Sequence, residues 1–119
     1  MSVDNNGGAF FAWVDGRGDY NSEWAGSDIY ATHIDMDGNL LFNNGLEIDI
    51  DSGPQEFPLI KCNTDGEAYI VWNDRKDGSN IIIELQKITT SGIHFDQNGE
   101  EVWYGRFLRV ESMKTASCL

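Results

Sequence analysis

Of the 119 residues only two are proline and two are cysteine, basic side chains number eight, and no long apolar run occurs. Each shortage excludes something. Cys62 lies in an apolar, strand-like run and Cys118 is the penultimate residue of a polar tail. A disulfide scaffold and the spacings of a thiolate metal site are therefore missing, and two unpaired thiols are expected. No stretch approaches the roughly 18 apolar residues of a membrane span. The opening Met-Ser-Val-Asp-Asn-Asn-Gly-Gly has neither the basic nor the apolar region of a signal peptide. Eight basic against 20 acidic side chains give a net charge of −12. That field repels phosphate backbones and anionic lipid, which excludes nucleic acid and membrane surfaces as partners.

What is present is apolar and aromatic: 40% hydrophobic residues, with six Phe, four Tyr and four Trp. A disordered chain lacks the apolar surface to offset its ordering entropy, so this one folds. Thirteen glycines, with Asn and Asp between short apolar runs, are the composition of strands joined by tight turns. Long helices are not expected.

An internal repeat runs through the chain. Ile34 to Ile48 aligns without a gap on Ile88 to Val102, matching Gly38 with Gly92, Asn44 with Asn98 and Gly45 with Gly99, at an offset of 54 residues (Ile34 to Ile88). Upstream, Ala9-Phe-Phe-Ala-Trp-Val-Asp15 matches Ala68-Tyr-Ile-Val-Trp-Asn-Asp74 at an offset of 59 (Trp13 to Trp72). The first copy thus carries five extra residues, which fall in the Gly- and Ser-rich loop from Gly16 to Ser27.

Strands are expected at Ala9 to Val14, Asp28 to Ile34 and Leu46 to Ile50, then at Phe57 to Cys62, Ala68 to Asn73, Ile81 to Thr89 and Glu101 to Trp103, with Phe107 to Val110 beginning another. The Trp-bearing strands are apolar on both faces and need cover on both sides. In the Ile81 strand Glu84 and Gln86 make one face half polar, which places that strand nearer a sheet edge. Such a gradient fits four-stranded propeller blades stacked between neighbours, with a β-sandwich as the alternative.

The expected fold is therefore all-β, about two antiparallel blades of a β-propeller-like array that is incomplete at both ends. Residues 1–53 would form a partial first blade lacking its opening strand, 54–104 a second, 105–111 the opening strand of a third, and 112–119 a disordered tail.

With Trp13, Asp15 and Arg17, then Asp28-Ile-Tyr-Ala31, Asp35, Gly38 and Gly45, the sequence resembles the degenerate propeller repeats of large secreted or surface proteins of bacteria, within the broad sialidase-like group. That pattern runs Trp-x-Asp-x-Arg, a strand like Asp-Ile-Tyr-Ala, Asp-x-x-Gly and a closing Gly. The second copy departs from it: Arg75 follows Asp74 directly, Ile81-Ile-Ile-Glu84 replaces the Asp-Ile-Tyr-Ala strand, and Thr64-Asp-Gly66 resembles only part of the sialidase Asp-box. The resemblance implies a propeller and an extracellular or cell-surface location within a parent protein. It implies no particular activity, because one superfold hosts many.

Structural roles are expected for Trp13, Asp15, Arg17, Gly38, Gly45, Trp72, Asp74, Gly92 and Gly99, because the motif recurs in each copy whereas a catalytic site would not. Trp fills the layer between blades and Asp accepts turn N–H groups. Asp19, Tyr20 and Trp24, on the inserted loop, are the binding candidates for a sugar face or a protein, against the alternative that Trp24 folds back as a lid over its own blade. Arg17-Gly-Asp19 spells an adhesion tripeptide, but its Arg already belongs to the repeat pattern.

Asp35-Met-Asp37-Gly38 and Asp49-Ile-Asp51 carry hard oxygens suited to calcium. In an EF-hand register His33 and Asn44 would hold the first and last positions, so turn capping is preferred and no metal or cofactor is assigned. No carboxylate pair is singled out for glycosidase chemistry. An arginine cluster for a carboxylated sugar is not recognisable among Arg17, Arg75, Arg106 and Arg109. His33 and His94 stand beside no nucleophile motif and are expected on the surface.

The chain is accordingly expected to be non-enzymatic, a scaffold or binding module for a protein or carbohydrate ligand. Its partners would be the remaining blades of a parent protein or copies of itself. The alternatives are a fragment of a sialidase-like glycoside hydrolase whose catalytic residues lie elsewhere, and a small self-assembling blade protein.

Overall fold

The computed structural model describes residues 1–17, 26–75, 80–93 and 98–105, with side chains as far as Val102. Nine strands run through them: β1 (Ser2–Val3), β2 (Ala9–Asp15), β3 (Asp28–Ile34), β4 (Leu46–Asp49), β5 (Gln55–Cys62), β6 (Ala68–Asp74), β7 (Ile81–Thr89), β8 (Gly92–Ile93) and β9 (Glu100–Gly105). Sheet 1 has the order β1-β2-β3-β4 and sheet 2 the order β5-β6-β7-β8, with β9 also on β7. All the pairings are antiparallel. The chain is all-β, with no helix among the described residues, hence none long and apolar enough to cross a membrane.

Each strand pairing of sheet 1 reappears in sheet 2 at the sequence offsets. Val3↔Ala9 becomes Cys62↔Ala68, and Ala9↔Ile34 becomes Ala68↔Ile88. Ile29↔Asp49, Tyr30↔Glu47 and Ala31↔Leu46 become Ile83↔Trp103, Glu84↔Glu101 and Leu85↔Glu100. Even the register shift between Ile29 and Tyr30 recurs between Ile83 and Glu84. Such an irregularity kinks the ladder and adds local twist, so it shapes both repeats alike. Ser2–Val3 holds the edge of β2 that the last residues of β5 hold on β6. Sheet 1 thus has two residues at a position that the sequence left without a strand. Phe107 to Val110 and the tail lie outside the described residues.

One turn chemistry closes three of the hairpins. Asp4 Oδ1 accepts from the N–H groups of Asn6 (2.8 Å) and Gly8 (2.9 Å). Asp35 Oδ1 does the same for Asp37 and Asn39, both at 2.9 Å, and Asn63 Oδ1 for Asp65 (2.9 Å) and Glu67 (3.0 Å). A short side-chain oxygen folding back on the next amides mimics a backbone turn. Asp4, Asp35 and Asn63 are explained in this way.

The two sheets pack face to face, with β5 against β2 and β3. Phe10, Ile29, Ala31 and Ile48 from sheet 1 meet Ile60, Ala68, Ile70, Trp72 and Ile88 from sheet 2. Strand alternation then turns Phe11, Trp13 and Tyr30 to the outer side of sheet 1, and Tyr69, Val71 and Leu85 to the outer side of sheet 2.

Two expectations are corrected by this packing. His33, expected on the surface, is 5% exposed, because on β3 it shares the inner face of Ile29 and Ala31. It packs its ring 4.4 Å from that of Phe10, its cross-strand partner. The Ile81 strand, β7, expected nearer a sheet edge than the Trp-bearing β6, is flanked on both sides as β6 is, by β6 on one side and β8 and β9 on the other. Glu84 and Gln86 are buried there, at 3% and 0% exposure. Their polar face turns inward with Trp72 and Ile70, their partners across β6.

Candidate functional site: an acidic junction between the sheets

Among the described residues, a cluster of acidic side chains lies where the first repeat hands over to the second. Asp49 ends β4, Asp51 follows in the connection, Gln55 opens β5 and Asp74 ends β6. Asp49, Asp51 and Asp74 bring carboxylate oxygens within 4.8 Å of one another, and Asp49 and Asp74 are fully buried. Asp49 Oδ1 accepts from the Asp51 N–H (3.0 Å) and its Oδ2 from Trp72 Nε1 (2.6 Å). Gln55 Nε2 donates to Gly53 O at 2.9 Å and Asp51 O at 3.2 Å, with Asp74 Oδ1 at 3.4 Å. The Gln55 N–H reaches Ser27 O (2.8 Å), and the Ile50 N–H reaches Asn98 Oδ1 (3.0 Å).

Burial pushes the Asp49 carboxyl up to about 7. The Asp51 amide and the Trp72 indole oppose that rise, while the neighbouring Asp74 and Glu84 carboxylates add to it. Asp49 therefore shares its site with a proton around neutrality, since like charges this close in a dry interior do not all ionise. Asp49, Asp51 and Asp74 could hold a hard cation by donor type. Calcium, however, takes about six to eight oxygens, and both oxygens of Asp49 already accept protein N–H groups.

A protonated acid beside a second carboxylate is also the raw material of general acid–base chemistry. Here Asp49 and Asp74 have no exposure through which a substrate could reach them. Chemically the junction is a fastener: it ties β4, the connection, β5 and β6 through polar contacts sealed in the interior.

The recurring motif residues serve the packing. Trp13 Nε1 donates to Asp15 Oδ2 (2.9 Å), and Asp15 also accepts from the Arg17 N–H (2.9 Å) and guanidinium (2.6 Å). The Arg17 guanidinium, then the Trp13 N–H, hold the Asp15 carboxyl well below the usual carboxylate range. Arg17 also donates to Asn44 O (2.6 Å) and lies 4.2 Å over the Tyr30 ring. Gly45 completes the group. A Cβ there would stand 2.9 Å from the Trp13 ring at a backbone φ of +86°, and at Gly99 one would stand 2.6 Å from the Trp72 ring at +87°. Only glycine combines the left-handed conformation with so close a ring.

Gly38 and Gly92 are at turns with positive φ. Asp74, expected to repeat the part of Asp15, lies instead in the junction, and the Arg75 guanidinium meets Glu56 at 3.2 Å.

His33 Nε2 lies 2.7 Å from Asp4 Oδ2. That bond, with the turn amides of Asn6 and Gly8, holds Asp4 below its ordinary value against the effect of burial. A shallow open groove beside it is lined by His33, Asp35, Asn39, Leu40, Leu41 and Thr90. It offers no nucleophile of the serine or cysteine kind.

The candidate binding residues Asp19, Tyr20 and Trp24 lie outside the described residues, as do Arg106, Arg109, His94 and Cys118. The junction was only half visible in the sequence. Asp49-x-Asp51 could be read as a pair, but Gln55, Asp74 and Glu84 join it only through strand pairing and sheet stacking.

No family model, curated protein or solved structure matches the chain.

Proposed function

We propose that the chain is a non-catalytic, propeller-like repeat scaffold, a stack of blades that carries loops for a protein or carbohydrate ligand within a secreted or surface protein. The observation that carries this reading is the recurrence of strand register, bulge included, in two sheets stacked face to face. Repeated units whose faces are buried only by their neighbours are what a scaffold of this kind is built from. The chemistry of the motif residues supports the non-catalytic part. Arg17 is engaged by Asp15, Asn44 and Tyr30, and Arg75 by Glu56, so neither stands ready for a carboxylated sugar. Asp49, whose carboxyl burial pushes up to about 7, is sealed.

Hydrogen exchange on a Trp72→Ala variant tests the stack. In coupled repeats, protection falls in β3 and β4 as well as in β5 to β7, because neighbouring units share an interface energy. Loss confined to sheet 2 means two independent sheets and ends the scaffold reading. Turnover of chromogenic glycosides by the wild-type chain, lost in Asp74→Asn, would overturn its non-catalytic part.

A further inference from the structure

The two faces that meet in the middle of the chain are repeated at its two ends. At the internal interface, sheet 1 presents Phe10, Ala12, Ile29 and Ala31, and sheet 2 presents Cys62, Ala68, Ile70 and Trp72. Shifting the first set by the repeat offsets gives Tyr69, Val71, Ile83 and Leu85, the outer face of sheet 2. Shifting the second set back gives Val3, Ala9, Phe11 and Trp13, the outer face of sheet 1. These apolar side chains, half-buried apart from exposed Val3 and buried Ile83, occupy the position, relative to their own sheet, of a surface that is buried half a molecule away. Val3 is 63% exposed, whereas its counterpart Cys62 packs against the core.

We infer that the outer face of sheet 1 in one copy of this chain docks on the outer face of sheet 2 in a second copy, continuing the internal stack head to tail. Three features favour a second copy as the occupant. The interface it would form continues the established one by the same repeat relation, so strand twist and face curvature match without a new fit. The indole N–H of Trp13 is already satisfied by Asp15 within its own strand, so an apolar partner can cover it without orphaning a buried donor. Exposed Lys61 stands beside Tyr69 on one face, and exposed Glu47 beside Tyr30 on the other, so the faces differ in sign.

The contact is heterologous, so it closes into a ring or runs on as a filament. The net charge of −12 on each copy opposes assembly at low salt and is screened as salt rises.

The inference rests on the repeat-scaffold reading, yet its failure is separate: sheets coupled in the exchange experiment but monomeric in solution would end the inference and leave the scaffold reading standing. The decisive experiment is light scattering on the full chain at low and moderate salt, with two blocking variants. Phe11→Lys spoils the sheet 1 face and Val71→Lys the sheet 2 face. Val3→Lys, at a position already exposed, replaces Phe11→Lys if that variant loses its far-UV strand signal, and Leu59→Lys likewise replaces Val71→Lys.

The expected result is an oligomer for the wild type, favoured by salt, and folded monomers for each variant alone. An equimolar mixture should give a one-to-one dimer, because the mixture alone retains one intact pair of faces. A monomeric wild type at every salt, oligomers that survive both substitutions, or folded variants that do not pair on mixing would each overturn the proposal.

Discussion

Trp13 and Trp72 occupy the same place in the same strand of two successive repeats, but Trp72 lies on the face packed between the two sheets and Trp13 on the outer face of sheet 1. Trp72 is fully buried and its indole N–H reaches across to Asp49 of the preceding repeat. Trp13 is half-buried and its N–H turns to Asp15 two residues on, while Arg17 lies over the neighbouring Tyr30. In both repeats a glycine lies flat under the ring. The motif thus specifies a socket, and the neighbour decides what the indole bonds to.

The sharpest way to break this comparison is to truncate both rings. Trp72→Ala should cost about 3 to 5 kcal/mol, the range for a large buried aromatic, and Trp13→Ala about 1 to 2 kcal/mol because part of its ring is already in water. Denaturant midpoints at low protein concentration measure the difference. Losses that converge as concentration rises would mean that a second molecule covers Trp13.

The junction offers the next largest effect. Asp49 is raised by folding from 3.8 to about 7, so between those values the native state binds the proton that the unfolded chain releases. Its contribution to stability is therefore complete below about pH 4, falls as pH rises, and is gone above about pH 7, a swing on the order of a few kcal/mol. Asp49→Asn should flatten the thermal midpoint across that window relative to wild type. Self-repulsion changes with pH in both proteins, so the difference between the two curves isolates Asp49. Parallel curves would show that Asp49 does not hold the proton.

Glycine substitution sharpens the socket comparison. Gly99→Ala should cost about 1 to 3 kcal/mol through positive φ and overlap with a ring that cannot move. Gly45→Ala should cost less, since Trp13 can shift toward solvent. Equal losses in chemical denaturation would mean that backbone conformation alone sets the penalty.

The smallest contrast is in the first turns of the repeats, where Asp4 and Asn63 are equivalent. Asp4→Asn keeps the turn acceptor and loses the charged contact to His33, at about 1 kcal/mol, whereas Asn63→Asp should be neutral within about 0.5 kcal/mol. Because folding lowers the Asp4 value, its contribution is present above about pH 4 and is lost as pH falls further. The wild type should therefore lose stability in acid faster than Asp4→Asn, which thermal scans below pH 4 can measure.

The strands, turns and repeat were legible because they are local. Short apolar runs placed Ala9 to Val14, Asp28 to Ile34 and Ile81 to Thr89 where β2, β3 and β7 run, and Gly, Asn and Asp marked the hairpins. The offset pairs of the sequence became the offset pairs of the ladders. Ser2–Val3 escaped because two residues carry no period.

By itself, then, the sequence determined an all-β chain with two copies of one strand pattern and turns that close on their own Asp and Asn oxygens, since each depends on residues a few positions apart. Tertiary structure alone decided which face of each strand goes dry. It buried His33 against Phe10 and Asp4, turned Glu84 and Gln86 inward, and gathered Asp49, Asp51 and Asp74 at one junction. Those outcomes depend on which sheet lies opposite, and a strand whose two faces are both apolar, or whose polar face finds buried partners, carries no local mark of the side its neighbour will cover.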